Sequence, residues 1–354
     1  MSQSQSSRGN AVGKERQYWG VLPVAPGPQL MEMGKQMEDT GFEGAFMLQI
    51  YGPPFAPLAA VASGTSRLKL SPGVAVAASR SPFETAFAAM DMDRISEGRF
   101  VLGIGSSLPS TTVGMHGAPN YKLMTHLRDT VGAVRHIVSG AHQGLQPYDG
   151  VYYKADYQEM IVTAPPVREH IPIWIGAMRD GMTRLALEVA DGLLGHSLWT
   201  VQYTNDHIRP LIDRSLSEFN RKREDIEITY WPWVAINNDR QQAIDDSRPT
   251  VAYYAGIKSY EDLFEAHGFL KEAKICQEAA VRQSDVASVL DKVPDEMVLA
   301  FVACGSIEEV QEQTEPLWSV ADAMCPMTPF RCLSNEQLMA YGAGIYQLVA
   351  AAKD

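Results

Sequence analysis

The chain has 354 residues, 45% of them hydrophobic, and a formal net charge of −12. That length supplies one large core, as in single-domain α/β barrels. The acidic balance argues against nucleic acid or anionic membrane as partners, and no apolar run reaches membrane-spanning length.

Residues 1–14 are rich in Ser, Gln and Gly without an apolar core. They read as part of a flexible tail over residues 1–16, not as a signal peptide, so a cytoplasmic protein is expected. Cys276, Cys304, Cys325 and Cys332 form no CxxC pair, which argues against a zinc pattern and a secreted disulfide framework.

Residues 18–24 form the first strand candidate. Leu30, Met33 and Met37 then repeat at helical spacing over 29–40, and Gly41 stands where a helix C-cap belongs. A second strand over 42–50 leads to Pro53-Pro54 and a helix over 55–63. The third strand spans 68–78, and Ser81 caps a helix over 83–95. Phe100 to Ile104 is the fourth strand, and the glycine-spaced loop Gly103, Gly105, Ser106, Ser107 closes it. After an irregular stretch over 108–121 come a helix over 123–139 and a small hairpin around Asp149-Gly150.

The alternation then resumes. Strands are expected at 171–176, 192–197, 227–236 and 321–327, with helices at 179–190, 201–221, 239–255, 306–317 and 335–351. Ser306 and Glu309 have capping-box spacing. Residues 257–299 hold helical patterns without a strand, which predicts a helical insertion before the last strand. Eight strand–helix units predict an eight-stranded (β/α)8 TIM-type barrel over residues 17–354 as a single domain. A doubly wound open sheet is the alternative, but no GxGxxG turn follows the first strand.

In a barrel the site is built just beyond the strands' carboxyl ends. Ser106 and Ser107 follow the fourth strand, and Gly176-Ala177-Met178 follow the fifth. The turn at 176–181, before a helix, offers free N–H groups and a helix dipole to a phosphate. His196, at the end of strand six, and His116, in the long fourth loop, are candidate proton carriers, as is Tyr51 after strand two. Tyr51, Trp199, Trp231 and Trp233 suggest an apolar, aromatic mouth. No HExxH, GxSxG or P-loop pattern occurs, and strand ends carry few carboxylates. An apolar mouth with small donors and an anion turn suits a flat redox cofactor.

The stretches Arg94-Ile95-Ser96-Glu97-Gly98-Arg99-Phe100-Val101-Leu102-Gly103-Ile104-Gly105, Ile171-Pro172-Ile173-Trp174-Ile175-Gly176-Ala177 and Met182-Thr183-Arg184-Leu185-Ala186-Leu187-Glu188-Val189-Ala190-Asp191-Gly192 resemble the luciferase-like monooxygenase superfamily. Met115-His116-Gly117, Glu188 to His196, Val293-Pro294-Asp295-Glu296-Met297 and Gly305 to Val310 are similar to its branch that uses the deazaflavin coenzyme F420. The resemblance implies an eight-stranded barrel, often dimeric, with a non-proline cis peptide at Gly73-Val74 pressing on the cofactor ring. It further implies that Ser106 and Ser107 flank the cofactor, that Gly176, Ala177 and Met178 hold its phosphate, and that Gln49 on strand two and Gly73, Val74 and Ala75 on strand three meet the ring. Many members carry an acid, sometimes followed by histidine, where this chain has Gln49 and Ile50, and some carry glutamate where it has Leu108. The expected activity is hydride transfer between F420 and a hydrophobic organic substrate. The alternatives are an FMN-dependent monooxygenase using O2 and a non-catalytic flavin- or deazaflavin-binding protein.

Overall fold

The computed structural model describes residues 16–50, 52–283 and 286–353; Tyr51 and all but the last residue of the expected tail over residues 1–16 lie outside them. Its strands are β1 (Gln17–Leu22), β2 (Gly44–Met47), β3 (Lys69–Pro72), β4 (Ala75–Val76), β5 (Leu102–Gly105), β6 (Tyr148–Asp149), β7 (Lys154–Ala155), β8 (Ile173–Gly176), β9 (Gly192–Leu194), β10 (Glu227–Tyr230), β11 (Trp233–Ile236), β12 (Val302–Gly305) and β13 (Ala323–Met324). Nine of them form one parallel sheet in the order β3-β2-β1-β13-β10-β9-β8-β5-β4. Its two end strands are halves of one run, joined through Gly73 and Val74, whose peptide bond is cis. The first half pairs with β2 and the second with β5, and Leu70 bridges Phe100 in parallel. The sheet therefore closes on itself with eight strand positions, and the expected (β/α)8 barrel is the fold.

The local signals are present. Ser81 Oγ accepts the Glu84 N–H at 3.1 Å, Gly41 ends its helix at φ 101°, and Ser306 with Glu309 forms a capping box. The closing helix runs over Asn335–Ala351 as expected, and β6 pairs antiparallel with β7 around the predicted turn. Other boundaries differ. The expected strand over 227–236 is two strands, because Pro232 has no N–H to donate to a ladder. Its second half, β11, leaves the barrel and pairs with β12, a strand that periodicity does not announce. The expected helix over 201–221 is interrupted by a widened turn at 204–208, just where Pro210 removes an N–H and crowds the carbonyl four residues back. The described residues of the segment over 257–299 form helices, as expected, and pack with β11 and β12 into a second apolar core around Trp233, Phe264 and Phe301.

Aromatic rings fill the barrel interior. Trp19 stacks on Phe46 at 4.5 Å and meets Trp174 at 5.0 Å, while Phe46 meets Trp231 at 4.7 Å. Glycines make the room: a Cβ on Gly44 would lie 2.5 Å from the Trp19 ring, and one on Gly192 would lie 2.1 Å from that of Trp174. Each such pair adds about 1 kcal/mol beyond burial. The barrel is thus a packed core, and open space is left above it.

Candidate active site

That space is a cleft of about 990 Å³ at the carboxyl ends of β3, β5, β8 and β9. Its floor is Val74 resting on two glycines. A Cβ on Gly105 would lie 2.6 Å from Val74 Cγ2, and one on Gly176 would lie 3.1 Å from Val74 Cγ1. Ser106 and Ser107 continue β5 into the cleft, with Ser107 in the left-handed region at φ 55°. Trp231, the uppermost ring of the barrel interior, also lines the cleft. Its Nε1 is buried without a hydrogen-bond partner among the described residues.

One wall is made of helix N-termini. The helices Leu123–Gly140 and Asp180–Val189 both begin at the cleft, bringing Leu123, Met124 and Thr125 from one and Gly181 and Met182 from the other. They touch: a Cβ on Gly181 would lie 2.7 Å from Met124 Sδ. Unpaired first-turn N–H groups and the positive dipole ends face the same space, and Lys122 and Arg179 line it too. The turn before the second helix is fixed by Trp199 Nε1–H donating to the Met178 carbonyl at 3.0 Å. The sequence marks the turn at 176–181 as an anion site. The partner terminus at Lys122 has no such signal, because no periodicity tells which loop will face it.

A further wall carries His196 with Tyr254 and Tyr260, their ring centroids 6.1 and 5.6 Å from the imidazole. The Leu198 N–H donates to His196 Nδ1 at 3.2 Å, which leaves the ring hydrogen on Nε2. Burial, with the Arg179 guanidinium second, holds His196 down at about 4. It is neutral at pH 7, a hydrogen-bond donor and a weak base. Burial pushes the Tyr254 phenol up to about 12 and raises that of Tyr260. Both tyrosines belong to the run entering the helical insertion, and Arg179 ties it down by bonding the Asp262 carboxylate and the Ser259 carbonyl.

Of the residues expected at the site, Gly73, Val74, Ser106, Ser107, Gly176, Ala177, Met178 and His196 come together around the cleft. Others lie elsewhere. Gln49 is half-buried beside it and turned to structural use: its Oε1 accepts from the Val76 N–H at 3.0 Å and from Arg80 at 3.3 Å, and its Nε2 donates to Ser79 Oγ at 3.2 Å. Ala75 is buried in β4, opposite Ile104. His116 is exposed on its loop and does not line the cleft. Tyr51 is outside the described residues. Trp199 and Trp233, expected at the mouth, are each 2% exposed and serve packing; among the described residues of that pattern, Trp231 alone faces the cleft. Leu48, Tyr254 and Tyr260 line it without a sequence signal.

No helix among the described residues is long and apolar enough to cross a membrane. Residues 10–319 match the model of the luciferase-like monooxygenase family. The chain is 28% identical over 289 residues to the 5,10-methylenetetrahydromethanopterin reductase of Archaeoglobus fulgidus, covering 80% of this chain and 84% of that one. Its fold is similar to that of the coenzyme F420-dependent tetrahydromethanopterin reductase of Methanopyrus kandleri, with TM-score 0.76, 23% identity and coverage of 95% and 98%. It is also similar to that of the oxygenating constituent of 3,6-diketocamphane monooxygenase of Pseudomonas putida in complex with FMN, with TM-score 0.64, 15% identity and coverage of 96% and 98%. The closed parallel barrel, its cleft and these matches lead to one conclusion: the chain belongs to the luciferase-like monooxygenase family and is an oxidoreductase.

Proposed function

We propose that the chain is a coenzyme F420-dependent oxidoreductase that transfers a hydride between the deazaflavin and a hydrophobic organic substrate. The observation that carries this reading is the pair of touching helix N-termini at Met124 and Gly181, beside a floor of Val74 on two glycines. A flat ring with an anionic tail fits both features. The first-turn N–H groups and Lys122 receive the tail, and Val74, with Ser106 and Ser107, receives the ring. When bound, the deazaflavin supplies the carbon that gives or takes the hydride.

The chain's own part is to position the reactants and exclude water. The apolar lining of Leu48, Val74, Leu194, Trp231 and Met327 keeps the hydride path dry. Burial holds His196 down at about 4 and raises the phenols of Tyr254 and Tyr260, which supports water as the proton's exchange partner. The homodimer implied by the resemblance and a cytoplasmic location belong to the same reading. The FMN-bound relative supports a second one, an FMN-dependent monooxygenase using O2.

Titration of flavin-free protein with F420 and, separately, with FMN, followed by absorbance and fluorescence, tests the choice. Preferential F420 binding is expected, followed by anaerobic turnover. Preference for FMN would replace this reading with the monooxygenase. Binding without turnover under any donor would leave a carrier protein.

A further inference from the structure

The cleft has an end for which the cofactor reading assigns no ligand. We propose that His196, Tyr254 and Tyr260 form its substrate-recognition end, which takes a flat, uncharged ring system and donates the His196 Nε2–H to an acceptor oxygen on it. The proposal rests on the deazaflavin reading for the rest of the cleft.

Three observations lead there. First, the imidazole is oriented. Its Nδ1 is occupied by the Leu198 N–H at 3.2 Å, so Nε2 carries the hydrogen, and Nε2 has no hydrogen-bond partner among the described residues. A fixed donor in a confined site selects for an acceptor, because a ligand without one leaves the N–H unpaired. Second, the two phenol rings lie 5.7 Å apart and within 15° of parallel. That spacing is too small to admit a ring between them, so together they make a shelf beside the imidazole, suited to the face or edge of a planar molecule. Third, the nearby cation is already occupied. The Arg179 guanidinium is bonded to the Asp262 carboxylate and the Ser259 carbonyl. The shelf thus offers a planar, apolar surface with one neutral donor and no uncommitted charge, which matches an aromatic or conjugated carbonyl compound rather than an anion.

Two probes of one shape test this: benzylideneacetone, a planar enone, and 1-phenyl-1-butene, which has the same skeleton without the oxygen. The readout is the imidazole ¹⁵N spectrum of histidine-labelled protein, with His196 assigned by its loss in His196→Gln. The enone should shift the His196 Nε2 resonance, and the hydrocarbon should not. Affinity for the enone should fall about tenfold in His196→Leu and largely return in His196→Gln, which keeps an N–H donor. The hydrocarbon should bind wild type and His196→Leu alike. Equal binding of the two probes to wild type, or an unchanged enone affinity in folded His196→Leu, would overturn the proposal. So would loss of F420 binding in that folded variant, since His196 would then belong to the cofactor's end. Wild-type protein that discriminates the probes but binds no F420 would overturn the functional reading and leave this one standing.

Discussion

Val74 and Gly105 define the floor of the cleft: a Cβ at position 105 would lie 2.6 Å from Val74 Cγ2. The valine can lie across β5 only because that strand carries no side chain there. Gly105→Ala should therefore force Val74 upward, destabilise the protein by about 1–3 kcal/mol and weaken F420 binding. The double variant Val74→Ala, Gly105→Ala should recover part of the stability in urea denaturation, because the two sites share one space. Additive losses would separate them.

Gly181→Asp tests the wall of helix N-termini. The new side chain meets only the flexible end of Met124, and a carboxylate in a first helical turn is favourable. Stability should stay within about 0.5 kcal/mol of wild type. F420 affinity should fall more than about tenfold, most steeply at low salt, as repulsion between like charges requires. An unchanged affinity in the folded variant would move the anion site elsewhere.

His196 couples stability to pH. In the unfolded chain it takes a proton below its ordinary value of 6.5, and in the folded chain only below about 4. Between those values the unfolded state binds more protons, so stability falls as pH drops from 6.5 to 4 and levels off below that. The loss is at most about 3 kcal/mol. Denaturant titrations of wild type and His196→Gln across this window should diverge accordingly, the variant lacking this part of the slope.

Arg179 is a second contributor to the same shift, after burial. In Arg179→Gln the His196 titration, followed by NMR, should move upward while staying below its ordinary value. The Arg179–Asp262 pair is solvent-exposed, so its loss should cost no more than about 1 kcal/mol. Hydrogen exchange at residues 258–262 should nonetheless accelerate, because that guanidinium also holds the Ser259 carbonyl.

Gln49 stands where many deazaflavin enzymes are expected to carry an acid, and its amide is bound to the end of the third strand run. Gln49→Ala leaves the Val76 N–H without its side-chain acceptor and should destabilise by about 1–3 kcal/mol. The pH profile of hydride transfer should keep its shape, since no proton passes through this position. A displaced profile would assign Gln49 a part in the chemistry.

Sequence alone determined the parts of this protein that local physics controls. Ser81, Gly41 and Ser306 cap helices because capping bonds join residues three or four apart, and Asn335–Ala351 is marked by its own periodicity. The alternation of strand and helix prescribed a parallel barrel, and hence that the loops after the strands, with Ser106, Ser107 and Gly176 to Met178, would share one end. Tertiary structure decided the rest. The third strand run pairs through one half with β2 and through the other with β5, because closing the barrel requires a strand to serve two neighbours. β12 exists only because β11 leaves the barrel to meet it. Lys122, Tyr254 and Tyr260 reach the cleft by docking of segments far apart in the chain, and no local period records which distant surface a loop will cover. Trp231 and Trp233 look alike in sequence. One lines the cleft and the other is sealed in the second core because Pro232 redirects the chain between them.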